Sequence, residues 1–133
     1  MKLLKRRSML KKAVAASTAS VVGLSAEAAK DKKVFVHHVY FWLKNPASEA
    51  DRTKLIEGLT ALAKVPTIRM HNIGLPATTN RSVIERSYAV SWLCFFDNLE
   101  EEEVYQKHPI HLKFVEDYSH LWEKVIVYDS VQI

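Results

Sequence analysis

The chain has 133 residues, a length that fits one domain. Hydrophobic residues make up 48%, with three glycines and four prolines, which excludes a disordered or collagen-like chain. The net charge of +4 is unevenly spread: residues 1–28 hold six Lys or Arg against one acid, Glu27, while the remainder carries thirteen basic and fourteen acidic residues. The body is therefore close to neutral, and the basic balance is no argument for a nucleic-acid partner. A single cysteine, Cys94, excludes an intrachain disulfide and a cysteine-based zinc site.

Residues 1–28 read as an export signal, because a charged head precedes a short apolar stretch and small residues. The run Arg6-Arg7-Ser8-Met9-Leu10-Lys11 resembles a twin-arginine motif, and Ala26-Glu27-Ala28 offers a small-x-small cleavage site. Ala13 to Leu24 is about half the ~20 apolar residues that a spanning helix needs, so membrane contact is expected only during export. The expected organisation is a signal over 1–28, a polar lead-in over 29–33 and one domain over 34–133. The expected location is the periplasm or outside the cell.

Val34 to Leu43 is β-branched and aromatic, as suits a strand, and neither of its alternating faces is polar. Asn45-Pro46 breaks it. Ser48 with Asp51 resembles a capping box for a helix to about Lys64, on which Leu55, Ile56, Leu59, Leu62 and Ala63 form one stripe. Thr67 to Ile73 suggests a second strand, Gly74 to Arg81 is turn-rich, and Tyr88 to Phe96 suggests a third strand. Asp97 and Asn98 can cap a helix from Leu99, whose Glu100 to Glu103 read as a solvated first turn. His108-Pro109 interrupts that helix and starts another, in which His111, Phe114, Val115, Tyr118, Leu121 and Trp122 recur at helical spacing to about Lys124. Val125 to Val131 closes the chain as a fourth strand.

The order strand, helix, strand, strand, helix, strand is that of an α+β, ferredoxin-like βαββαβ fold: a four-stranded antiparallel sheet with helices on one face. The uncovered face would carry Trp, Tyr, Phe and Val, more apolar surface than a soluble monomer usually shows. A second copy, sheet against sheet, would cover it and make a homodimeric α/β barrel.

The run Tyr105-Gln106-Lys107-His108-Pro109-Ile110-His111, continuing to Leu121-Trp122-Glu123-Lys124, resembles the stress-responsive dimeric α/β-barrel (Dabb) family. His38-Val39-Tyr40-Phe41 with Leu43-Lys44 is similar to that family's first strand, and the likeness covers residues 34–130. The resemblance implies the homodimeric barrel and, through the plant polyketide cyclase that makes olivetolic acid, an acid/base pair at Tyr105 and His111. Such a pair suits proton removal beside a carbonyl, with imidazole as base and phenol as donor. That cyclase has a further histidine where this chain has Val90. His38 and Trp92 are the expected substrate-binding residues, with a small hydrophobic carbonyl compound as ligand and no cofactor or metal. His37 and His38 alternate across a strand and cannot chelate one ion. On the enzyme reading, Tyr105→Phe costs activity and little stability. The competing readings are a non-catalytic stress-response dimer with structural histidines, and a haem- or aromatic-ligand-binding barrel.

Overall fold

A computed structural model describes residues 33–133; the expected signal and the start of the lead-in lie outside the described residues. The chain runs β1 (Phe35–Leu43), α1 (Glu49–Leu62), β2 (Met70–Gly74), β3 (Val90–Phe96), α2 (Leu99–Lys107), α3 (Pro109–Tyr118), a short 3-10 turn (Ser119–Leu121) and β4 (Trp122–Val131). The sheet order is β2-β3-β1-β4 with every pair antiparallel, so the two longest strands, β1 and β4, lie side by side. This is the ferredoxin-like arrangement expected, with the second helical segment split in two.

Strand periodicity divides β1 cleanly. Phe35, His37, Val39, Phe41 and Leu43 are buried under the helices, while Val36, His38, Tyr40 and Trp42 are half-buried on the other face. On β3, Val90, Trp92, Cys94 and Phe96 join the buried side and meet Leu55, Leu59 and Leu62 of α1, Tyr105 of α2 and Phe114 of α3 in one core. The opposite face carries an aromatic cluster: the His38 and Tyr40 rings stack at 4.4 Å, Tyr88 and Tyr128 meet Tyr40 edge-on, and the Lys124 ammonium sits 4.5 Å above the Trp42 ring.

Helix starts follow local chemistry. The Ser48 hydroxyl accepts from the Asp51 amide at 3.2 Å, but the Asp51 carboxylate accepts from the Asn45 side chain, so only half of the capping box forms. Asn98 caps α2 by accepting from the Glu101 amide at 2.9 Å, while Asp97 pairs with Arg69. His108 is extended (φ −64°, ψ 139°), as the residue before a proline must be, and its Nδ1 caps α3 by accepting from the Ile110 amide.

Two boundaries differ from expectation. The last helix ends at Tyr118 rather than near Lys124, and Trp122 opens β4 opposite Leu43. Its ring stacks on Phe114 at 5.7 Å, so the apolar residue that continued the helical pattern belongs to the strand beneath the helix. The second strand starts at Met70, since Val65 and Pro66 lead into a turn.

Candidate functional site

The elements converge on a small cavity between the sheet and α2–α3. Its wall includes His37 and Val39 of β1, Trp92 of β3, Tyr105 and Gln106 of α2, and His111 of α3. The volume is about 140 Å³, the share of four or five waters at ~30 Å³ each.

Tyr105 and His111 meet because the extended His108 turns the chain between α2 and α3, which sets their rings edge to face at 4.8 Å. The Tyr105 hydroxyl is fully buried and accepts a hydrogen bond from Trp92 Nε1 at 3.0 Å. Burial pushes the phenol far above its ordinary range, the nearby Cys94 and Glu102 add to that, and only the Trp92 bond opposes it. The hydroxyl therefore stays protonated at neutral pH.

His111 titrates below its ordinary range, first because it is buried and second because of the neighbouring His37, with the Gln106 carbonyl pulling the other way. It is the neutral imidazole at pH 7. Among the described residues its Nδ1 is buried and makes no well-formed hydrogen bond, although the Gln106 carbonyl lies near enough to the ring to favour its charged form. Buried polar nitrogens without a partner are uncommon and point to a water or ligand that completes them.

His37 supplies a second imidazole. Its Nδ1 lies 2.7 Å from Asp129 Oδ1, a residue directly across the β1–β4 ladder, and 3.9 Å from Glu102 Oε1. A carboxylate only accepts, so at that distance Nδ1 donates to Asp129. The ring stands edge-on to Tyr105 at 5.7 Å. Glu102 is buried and accepts from Gln106 Nε2 at 2.7 Å, so one member of the expected solvated glutamate run turns inward.

Among the expected site residues, Tyr105, His111 and Trp92 share this cavity, and His38 does not. His38 lies on the opposite sheet face, where Tyr40 Oη is 3.2 Å from its Nδ1; burial, and then His37, lower its pKa. The alternation of strand side chains makes the two adjacent histidines face opposite ways, and helix packing selects His37. Trp92 touches the site as a hydrogen-bond donor to Tyr105 as well as a wall. Among the described residues no cluster of three ligating side chains could hold a metal ion.

The profile of the stress-responsive A/B barrel domain (Dabb) matches residues 35–132, almost the whole folded body. The chain belongs to the Dabb family. Solved structures place this Dabb chain among ferredoxin-like proteins. A Dabb family protein from Mesorhizobium loti superposes with a TM-score of 0.63 at 20% identity, over 76% of this chain and 98% of that one. A dimeric ferredoxin-like protein of unknown function from Thermobifida fusca gives 0.60 at 15% identity, over 74% and 90%. The hydroxynitrile lyase of Passiflora edulis gives 0.63 at 16% identity, over 77% and 95%. At these identities the likeness establishes the fold alone. No curated protein matches the sequence.

Proposed function

We propose that this Dabb chain is an exported homodimeric barrel whose cavity binds a small carbonyl compound and moves a proton beside its carbonyl group. The observation that carries the reading is the meeting of Tyr105 and His111 on one cavity, with His111 Nδ1 buried and without a hydrogen bond among the described residues. Neutral His111 is the base that removes a proton from carbon or from a hydroxyl. Tyr105, held protonated by burial and already accepting from Trp92, has its own hydrogen to give to the oxyanion that forms. His37, oriented by Asp129, offers a second imidazole nitrogen in the same wall. The chemistry is aldol-type: a carbon–carbon bond forms or breaks next to the carbonyl as the proton passes to or from His111. Cleavage of an α-hydroxynitrile suits the same pair: His111 takes the hydroxyl proton, the bond to the nitrile carbon breaks as the carbonyl forms, and the proton passes to the departing cyanide to give HCN; a hydroxynitrile lyase shares this fold. The cavity of about 140 Å³, the share of four or five waters, suits a small ligand or the reacting end of a larger one.

The test is a binding and turnover screen of short aldehydes, ketones and α-hydroxynitriles by NMR on the leaderless chain. His111→Ala is expected to lose binding or turnover at least tenfold while remaining folded. Equal behaviour of His111→Ala and the parent, or a screen without hits, favours the second reading, a non-catalytic stress-response dimer. That reading draws on the Trp92–Tyr105 bond, which gives the motif tyrosine a structural task. Export is tested by replacing Arg6 and Arg7 with lysine. The precursor is expected to stay inside the cell because twin-arginine signals are read by a receptor; normal export of the variant would refute it.

A further inference from the structure

Behind the candidate site, on the outer side of the helix layer, α1 and α3 leave a second groove of about 250 Å³. Leu62 and Phe114 line both spaces, so this pair of side chains is the wall between them. The groove owes its depth to Gly58. A side-chain carbon there would stand 2.8 Å from the Tyr118 ring, so the glycine lets that ring lie flat on α1 and form the floor. Ala61 and Ile110 continue the lining, which is apolar almost throughout.

The rim is charged and unbalanced. Lys64, Lys113 and Asp117 border the groove. Asp117 Oδ2 pairs with Lys113 Nζ at 3.1 Å, whereas Lys64 has no carboxylate within ion-pair distance among the described residues. The rim thus carries one uncompensated positive charge above an apolar trough. The complementary molecule has one negative charge and an apolar body. At a water's share of ~30 Å³ per non-hydrogen atom, the trough takes about eight such atoms.

We propose that the groove between α1 and α3 binds a free monocarboxylic acid with an apolar body of about eight carbons, its carboxylate at Lys64. An exposed ion pair contributes little on its own, so the buried body supplies most of the affinity and Lys64 supplies the preference for an anion. The site does not rest on the Tyr105–His111 reading, because neither residue lines this groove.

The probe is octanoate, titrated into the isotope-labelled leaderless chain and followed by NMR, with octylammonium as the opposite-charge control. Shifts are expected at Ala61, Ile110 and Tyr118, with a dissociation constant on the order of 1 mM. Lys64→Glu is expected to weaken octanoate about three- to tenfold, the scale of replacing an exposed attraction by a repulsion. Ala61→Trp, which fills the groove from an exposed helix position, should abolish binding while circular dichroism shows an intact fold. His111→Ala should leave octanoate binding unchanged, which separates this proposal from the reading of the inner cavity. The proposal is overturned if octylammonium binds as well as octanoate, if Lys64→Glu has no effect, or if the shifts map to Tyr105 and His111. It is also overturned if anionic phosphatidylglycerol vesicles bind the groove and free octanoate does not.

Discussion

Replacing Tyr105 by phenylalanine removes one oxygen, the hydroxyl that accepts from Trp92 Nε1. Trp92 Nε1 donates to it at 3.0 Å, and both side chains are 1% exposed. Indole nitrogen is a donor only, so in Tyr105→Phe a buried N–H faces a ring edge with no acceptor. Stranding a buried donor costs about 1–3 kcal/mol, against the small loss expected from the sequence, where the tyrosine had no visible partner. For a folded body of this size that is a fall in melting temperature of roughly 4–20 °C. The assay is urea denaturation of parent, Tyr105→Phe, Trp92→Phe and the double variant at one protein concentration, since a dimer would make stability concentration-dependent. The double variant removes donor and acceptor together, so its loss should fall short of the sum of the single losses by about 1 kcal/mol or more. A Tyr105→Phe protein within ~0.5 kcal/mol of the parent would refute the reasoning, that being the range of an unremarkable surface change.

Stability should decline on the acid side of about pH 6.5, the ordinary histidine value. His38 and His111 both titrate lower in the folded chain, so the unfolded chain takes up protons first as pH falls, and stability is full only above that value. Thermal melts between pH 5 and 8 check this, and His111→Ala should show the shallower acid decline. Sedimentation of residues 29–133 at low micromolar concentration should show a dimer, since the half-buried Tyr40 and Trp42 and the exposed Tyr128 share the open sheet face; a stable monomer would refute the barrel. Gly58→Ala should destabilise by about 1 kcal/mol or more, although alanine is normally the better helix former, because its methyl would stand 2.8 Å from the Tyr118 ring. Chemical denaturation that found the alanine variant more stable would show that Tyr118 gives way without cost.

The alternation of β1 was legible in the sequence, and so was the break at His108-Pro109, because both follow from local geometry. The choice between His37 and His38 was not. With apolar residues on both faces, the strand pattern carries no sign for which side the helices cover, and a shift of one residue exchanges the two rings. Glu102 was misread for a related reason: four consecutive glutamates share helical turns, and only packing against β1 and Gln106 shows which one points inward. Trp122 kept the helical spacing of the preceding residues because the strand that follows folds back under the same helix. The Tyr105–His111 pair was accessible through the motif, whereas the Trp92 donor could be found only once β3 was set opposite α2.

Cys94 sits in the middle of β3 with no exposed surface, facing Phe96, Tyr105 and the rest of the core. Burial holds its thiol far above the usual range, and the nearby Glu102 carboxylate adds to that. Thiol–disulfide exchange and oxidation both begin with a thiolate that reagents can reach, and this sulfur meets neither condition. The folded chain should therefore keep its thiol reduced under oxidising and reducing conditions alike, form no disulfide with another copy, and need no reductant in storage. In the folded protein the thiol should react with a maleimide or disulfide reagent only as fast as the sheet opens, which makes it a built-in reporter of unfolding.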